Sequence, residues 1–260
     1  VVFLDVMEEI TTADSEIMEL SIEELVAKKE LIINSYKQAV ESRVPYVLAD
    51  GYYRLRSALT FTNDLPTGEK DGEGNPITAP QEVDKYMYCA ISGETISLRW
   101  YTPKDLSSDA PALWKVTNKD GFVDIMNVGT DTRVAGEVKM STAVEVSAES
   151  ENLMALDPVA TIDDVTYVNI RVSTQVPGWD IDSKFYGYLH ANGHSSGAGV
   201  SGNIVGWEAA FDKGTESASA SEWIFEPVTD EEAADIIVAY EPVRNHEVLV
   251  EQYNEMLSTT

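Results

Sequence analysis

The stretch Trp223-Ile224-Phe225-Glu226-Pro227-Val228 decides the fold, because two earlier stretches of the chain follow its plan. Leu153-Met154-Ala155-Leu156-Asp157-Pro158-Val159 ends almost identically, and Leu113-Trp114-Lys115-Val116 has its bulky residue at the same place. A small polar run precedes each stretch, at residues 107–109, 147–150 and 217–221. Agreement at three places along one chain indicates internal repetition.

Each of these stretches closes a round of four predicted strands between Gly51 and Val228. The opening strands, residues 52–56, 122–126 and 167–171, alternate polar and apolar residues as half-buried strands do. The second strands are residues 85–90, 132–135 and 186–191, and the third strands are residues 96–100, 143–146 and 204–207. Three rounds of four strands predict a β-trefoil, a barrel closed at one end by hairpins and free of exposed sheet edges.

Helical patterns lie before and after the three rounds. Ser21 and Glu24 form a capping box, and apolar residues at helical spacing continue to Val40. A second capping box at residues 229–232 starts another helical pattern. We therefore expect a mostly β chain in three parts: an N-terminal helical segment at 1–45, a β-trefoil domain at 46–228 and a C-terminal helical segment at 229–260. Residues 62–84, 174–184 and 192–202 are expected to form loops within the rounds.

The composition limits the choice of partners and of location. The formal net charge is -27, from 45 acidic and 18 basic residues, and such a surface repels nucleic acid and anionic headgroups. No apolar stretch reaches the roughly 20 residues that span a bilayer. The start, Val1-Val2-Phe3-Leu4-Asp5, lacks the basic region of a signal peptide. We expect an acidic extracellular or cell-surface protein that neither binds nucleic acid nor inserts into membranes.

Cys89 is the one cysteine, and it stands in the apolar run at residues 86–90. An intrachain disulfide is therefore impossible, and a buried, inert thiol is expected.

The closing strands resemble those of the ricin B-type β-trefoil family of sugar-binding modules, over about residues 46–228. That family has a Gln-x-Trp triplet at the start of each closing strand. Trp114 and Trp223 match its tryptophan, whereas Ala112 and Ser221 stand in place of the glutamine. Met154 replaces the tryptophan in the middle round. The resemblance implies a non-catalytic module that binds carbohydrate and needs no cofactor.

In such modules an acidic residue on the second strand and an aromatic residue at the end of the third strand hold the sugar. A sugar ring has an apolar face and a polar rim, so it needs a flat apolar surface beside fixed hydrogen-bonding groups. In the third round Trp207 takes the aromatic place and His190 the acidic place, with Asn192 close by. Trp179 and Asp180 lie on a nearby predicted loop.

The other two rounds are weaker candidates for a binding site. In the first round Trp100 takes the aromatic place and Tyr88 replaces the acid. In the middle round Val146 and Ala135 offer no binding groups. A second hypothesis gives Trp100 and Trp207 a packing role beneath the hairpin loops. The chain is then a structural or protein-interaction module of a larger surface protein.

A third hypothesis is a serine esterase. Gly193-His194-Ser195-Ser196-Gly197 matches the G-x-S-x-G pattern, and Asp235 and His246 follow in triad order. The mechanism requires a strained turn that leads directly into a helix, whereas residues 198–202 form a flexible polar sequence. A Gly- and Ser-rich hairpin loop explains the match.

Carboxylates elsewhere give weaker signals for catalysis or metal binding. Asp180 and Asp182 could pair for glycoside hydrolysis, but one loop fixes no separation between them. Residues 71–75 place oxygens at alternate positions, as a calcium loop does, yet lack the distal bidentate glutamate. We expect a solvated loop there and no metal site; whether this loop binds a cation stays open.

Overall fold

A computed structural model describes residues 21–41, 44–102, 109–175, 178–179, 185–193, 201–208, 220–241, 243 and 246. The chain divides into two compact units, Val1–Val44 and Pro45–Thr260. The second unit is mostly β, as the alternating patterns predict. No helix in the described ranges is both long enough and apolar enough to cross a membrane.

The first unit contains helix α1, Ile22–Glu41. Its capping box forms as predicted. The backbone N–H and the hydroxyl of Ser21 donate to Glu24 Oε2 at 2.8 and 2.7 Å, and the Glu24 N–H donates to Ser21 Oγ at 3.3 Å. These bonds satisfy donors that the first turn of a helix otherwise leaves without partners.

The described residues of the second unit contain fifteen strands. They are β1 Gly51–Ser57, β2 Phe61–Lys70, β3 Pro76–Val83, β4 Tyr86–Ser92, β5 Thr95–Tyr101, β6 Trp114–Lys119, β7 Phe122–Asn127, β8 Arg133–Ala135, β9 Glu145–Ser147, β10 Met154–Ile162, β11 Val165–Val172, β12 Gly178–Trp179, β13 Phe185–Ala191, β14 Ser201–Glu208 and β15 Glu222–Val228.

Six of these strands pair into a closed ring in the order β1, β6, β7, β10, β11, β15 and back to β1. Every neighbouring pair is antiparallel, and the predicted opening strands alternate with the predicted closing strands. Three hairpins that belong to the predicted rounds, β4–β5, β8–β9 and β13–β14, lie outside the ring, as does the β2–β3 hairpin. Closure leaves these six strands no free edge for pairing with another chain.

Two tight turns connect consecutive rounds of the ring. Asp120 and Gly121 join β6 to β7 with φ of 55° and 85°, and Asp163 and Asp164 join β10 to β11 with φ of 50° and 65°. Positive φ at both central residues characterises the type I′ turn, whose twist matches that of antiparallel strands. Asp and Gly occur at these turns because they adopt a positive φ more readily than other residues.

The bulky residues of the three closing strands are all in the hydrophobic core. At most 1% of each side chain is exposed. Each lies opposite a residue of an opening strand: Trp114 opposite Tyr53, Met154 opposite Val123, and Trp223 opposite Val168. The three matching positions of the closing strands are therefore all core positions.

Residues 62–84, predicted to be a loop, instead contain most of the β2–β3 hairpin. Prolines normally interrupt a sheet because they cannot donate a ladder hydrogen bond. Pro66, Pro76 and Pro80 are tolerated because this sheet has only two strands, so both of its strands are edges. The prediction of a loop at residues 62–84 was therefore wrong.

A C-terminal helix, α2, occupies residues 230–241. Thr229 caps it, since its Oγ1 accepts the Glu232 N–H at 3.2 Å. Ala233 and Ile236 pack in a small core cluster with Leu113 and Val228. This helix is therefore part of the packing of the second unit.

Cys89 lies in the core with 1% of its surface exposed. Burial raises the pKa of its thiol to about 11. The expectation of a buried thiol is confirmed, and at neutral pH the thiol is protonated and therefore weakly nucleophilic.

Candidate functional site

Two core tryptophans attach two of the hairpins to the ring in the same way. Trp114 Nε1 donates to the Met87 carbonyl of β4 at 3.0 Å, and Trp223 Nε1 donates to the Leu189 carbonyl of β13 at 2.8 Å. Met87 and Leu189 thus hold matching positions in the two rounds. Tyr88 and His190, the next residues along each strand, match as the sequence predicted.

The strand registers correct the predicted match between Trp100 and Trp207. Met87 lies opposite Trp100, whereas Leu189 lies opposite Gly206. Trp207 therefore corresponds to Tyr101, one residue beyond Trp100. A shift of one residue moves a side chain to the other face of a strand.

The solvent exposure of the two tryptophan side chains agrees with their positions on opposite faces of the strands. Trp100 is only 4% exposed, whereas Trp207 is half-buried at the surface. Trp100 therefore has a packing role and presents no open face to a ligand.

Trp207 and His190 lie side by side on one face of the β13–β14 hairpin. Their ring centroids are 5.6 Å apart, with the planes inclined by 38°. His190 is 8% exposed, and its Nδ1 is 2.9 Å from the hydroxyl oxygen of buried Ser221. Ser221 is the residue that stands in place of the glutamine in the Gln-x-Trp triplet, and here it holds the imidazole in a fixed orientation.

The first round carries an aromatic pair at the matching positions. The centroids of Tyr88 and Tyr101 are 4.4 Å apart, and both rings are half-buried. The Tyr101 hydroxyl donates to the Asp109 carboxylate. Burial, together with this carboxylate, raises the pKa of Tyr101. One hydroxyl of this pair is thus engaged within the protein. The aromatic residue at the position that matches Trp207 is Tyr101, whereas the sequence had suggested Trp100.

Asn192 follows β13 directly, two residues after His190, and its side chain is exposed. Its carbonyl accepts the Trp100 indole N–H at 2.6 Å, and its own N–H donates to the Asn203 carbonyl at 3.1 Å. The backbone at Asn192 is therefore fixed on both sides. Of the three predicted residues, His190 and Trp207 are in contact, whereas Asn192 lies beside Asn203, four residues along the strand from Tyr188, the partner of Trp207.

The remaining predicted site residues are not tested by the structure. The backbone of Trp179 pairs with Phe185, on the side of β13 that is opposite β14. Asp180, Asp182 and the motif residues 194–197 lie outside the described residues.

Two polar triads connect the ring to the hairpins, and the sequence did not reveal them. Asp157 accepts Arg171 Nε at 2.8 Å and the Tyr188 hydroxyl at 3.3 Å. At the matching positions of another round, Glu226 accepts Arg56 Nε at 2.5 Å and the Tyr86 hydroxyl at 3.0 Å. Each triad joins a closing strand, an opening strand and a second strand. The similar Asp157-Pro158 and Glu226-Pro227 endings were the only sequence signal.

An ion cluster joins the opening and second strands of the middle round to the end of β6. Asp124 accepts Arg133 Nε at 2.6 Å and Lys119 Nζ at 2.8 Å. Burial acts to raise the pKa of Asp124, but the hydrogen bonds from these two cations outweigh it and lower the pKa. The two cations more than balance the Asp124 carboxylate, and Val146 packs against the core.

The structure also bears on the catalytic and metal-binding patterns. The strands on either side of residues 194–197 are antiparallel partners, with Ala191 opposite Ile204, whereas a nucleophile elbow joins a strand to a helix in an α/β sheet.

Asp71 accepts the N–H groups of Glu73 and Asn75, both at 2.9 Å, within its own turn. Among the described residues, no three His, Cys, Asp or Glu side chains are arranged to hold a metal ion.

No protein-family profile matches the chain, and no curated protein matches it significantly. Among solved structures, it is similar to the crystal structure of the Rhizoctonia solani agglutinin. The TM-score is 0.40 and the sequence identity 16%, over 71% of this chain and 99% of that chain. Similarity at this level does not bear on the function of the present chain.

Proposed function

We propose that this chain contains a β-trefoil module that binds carbohydrate, without catalysing a reaction, at a third-round site formed by Trp207, His190 and Asn192. The closed ring of six strands, the three hairpins outside it and the matching bonds of Trp114 and Trp223 support the threefold plan. The resemblance to ricin B-type modules supports the ligand class.

The observation that carries the site is the pairing of a half-exposed Trp207 with a buried His190. Trp207 offers a flat apolar surface for the C–H face of a sugar ring. The imidazole beside it is a polar group whose orientation is fixed by Ser221 at 2.9 Å. Because both rings are held before the ligand arrives, little side-chain entropy is lost on binding.

The charge of the protein favours an uncharged ligand. With a net charge of -27, the surface repels anionic polymers and tolerates neutral sugars. We extend the proposal to an extracellular or cell-surface location, where neutral glycans are exposed to solvent.

A glycan-array screen tests this function. We expect the wild-type protein to bind at least one glycan and Trp207→Ala to lose that binding at least tenfold. Tyr88→Ala, which removes an aromatic ring from the first-round hairpin, is the matched control and should retain it. A folded wild-type protein that binds no glycan, or equal binding by Trp207→Ala, would count against the proposal.

One observation favours a second candidate, a structural or protein-interaction module. Val238 on α2 is 66% exposed, and Val243 beyond it is 49% exposed. These two valines are five residues apart in the sequence, and exposed apolar patches are a feature of protein contact surfaces. If this function is correct, Val238→Lys should abolish association with a surface protein and leave glycan binding unchanged.

A further inference from the structure

Two side chains of the first round reach the two residues that directly follow β13, Asn192 and Gly193. Lys85, the residue before β4, donates its Nζ to the Gly193 carbonyl at 2.6 Å. Trp100, on β5, donates its indole N–H to the Asn192 carbonyl, also at 2.6 Å. Consecutive carbonyls of the third round are thus held by two side chains of the first round.

The Lys85 side chain reaches the Gly193 carbonyl from a buried position. It is fully buried, and its Nζ lies 4.4 Å from the centroid of the Trp100 ring. Burial lowers the pKa of Lys85 to about 8, so the side chain carries a proton at neutral pH. A buried cation needs hydrogen bonds or an aromatic face to offset the loss of water, and this position supplies both.

The backbone leaves room for the indole only because residue 202 is glycine. Gly202 lies opposite Trp100 in the pairing of β14 with β5. A Cβ at this position would lie 2.4 Å from Trp100 Nε1 and 2.7 Å from the Asn192 carbonyl oxygen. The indole therefore occupies a tight space between Gly202 and Asn192, where a small displacement would change its hydrogen bond.

We propose that Lys85 and Trp100 form a clamp that positions the Asn192–Gly193 backbone and, through it, the Asn192 edge of the third-round site. Both are positioning residues, since neither side chain faces the proposed ligand. The effect on binding rests on the proposed carbohydrate function. The clamp itself is a property of the protein without a ligand.

Residue-resolved amide exchange of the ligand-free protein tests the clamp. Lys85→Met removes the charged donor with little change in volume, and Trp100→Phe keeps a ring but removes the indole N–H. We expect the Asn192 amide, which donates to Asn203 at 3.1 Å, to exchange at least tenfold faster in both variants. Lys115→Met, which removes an exposed lysine from β6, is the matched control and should leave the rate unchanged.

Two reference amides separate positioning from general loosening. Ala191 N–H donates to Ala220 at 2.8 Å, and Gly206 N–H donates to Thr142 at 3.1 Å. Their exchange rates should stay within about threefold of the wild type. Equal acceleration of all three amides, or an unchanged Asn192 amide, would overturn the proposal. If Lys85→Met does not fold, Trp100→Phe alone gives the decision.

A binding measurement then separates this inference from the proposed function. With a glycan identified on the array as the probe, both variants should bind at least threefold more weakly than Lys115→Met. Faster Asn192 exchange with unchanged affinity would overturn the role of the clamp in binding. Faster exchange in a protein that binds no glycan would overturn the carbohydrate function and leave the clamp supported.

Discussion

Trp114 and Trp223 make the same hydrogen bond in two different rounds of the chain. Each indole N–H, fully inside the core, donates to a backbone carbonyl of the second strand of its own round, at 3.0 Å for Trp114 and 2.8 Å for Trp223. The side chain that fills the core therefore also attaches the outer hairpin to the ring. This double role explains why a tryptophan rather than an aliphatic residue suits these positions.

Replacing either tryptophan by phenylalanine should destabilise the protein by a similar amount. Trp114→Phe and Trp223→Phe keep an aromatic ring but leave a buried carbonyl without its donor, which costs about 1–3 kcal/mol, with a further loss from the smaller ring. Urea unfolding followed by circular dichroism measures both. A large cost for one substitution and none for the other would show that the two positions are not equivalent.

Gly202→Ala should lower stability, whereas Gly72→Ala should not. A Cβ at Gly202 would overlap Trp100 and Asn192, and overpacking of this kind costs about 1–3 kcal/mol. At Gly72 a Cβ would meet no atom within 4 Å, and its φ is not positive. The melting temperatures of the two variants, measured by thermal unfolding, give the comparison. Equal melting temperatures would contradict the tight packing at Gly202.

Lys85 should make the protein more stable as the pH rises from 8 towards 10. Its pKa is about 8 in the folded chain and 10.5 as the ordinary value. Between these values the unfolded chain holds a proton that the folded chain has released, so stability increases with pH. Relative to Lys85→Met, the free energy of unfolding should rise by roughly 1–3 kcal/mol between pH 7 and pH 10.

The comparison with Lys85→Met isolates this effect. Burial raises the pKa values of Cys89 and Tyr86, which lowers stability at alkaline pH in both proteins alike. Their contributions cancel in the difference between the two proteins. Urea titrations at four pH values provide the data, and a difference that stays flat or falls with pH would contradict the buried position of Lys85.

Ser221→Ala should impair the third-round site. The substitution removes the hydroxyl 2.9 Å from His190 Nδ1, so the imidazole loses the contact that orients it. We expect a stability loss of about 1–3 kcal/mol and weaker glycan binding. Ser201→Ala, at an exposed position of the same hairpin, is the control. Unchanged binding by a folded Ser221→Ala protein would show that the orientation of His190 does not matter.

The strands of the ring could be predicted from the sequence because the pattern that indicates a half-buried strand lies within a few neighbouring residues. Alternation of polar and apolar residues predicted a strand at residues 52–56, and β1 is Gly51–Ser57. The matching places of Trp114, Met154 and Trp223 were also visible, since a bulky core residue recurs before a similar ending. Alternation depends on neighbouring residues alone, and this is why it succeeded.

The side on which the third-strand aromatics lie could not be predicted in the same way. Leu189 lies opposite Gly206, whereas Met87, at the matching position, lies opposite Trp100. Tyr101, not Trp100, is therefore the counterpart of Trp207. A difference of one residue in register leaves no trace in the hydrophobic pattern, yet it reverses which face a side chain occupies.

The contacts between the first and third rounds could not be predicted from the sequence either. The bonds from Lys85 to Gly193 and from Trp100 to Asn192 join residues that are far apart in the sequence. No local pattern encodes such a contact, and a lysine next to an apolar strand is usually assigned to the surface. The polar groups that build the site therefore required the structure.

The most direct test is the affinity of the wild-type protein and of Trp207→Ala for one array-identified glycan, measured side by side by calorimetry. The half-exposed Trp207 ring beside His190 predicts measurable binding by the wild type and a loss of at least tenfold in the variant. Equal affinity in two folded proteins, or no binding by the wild type across the array, would contradict the site.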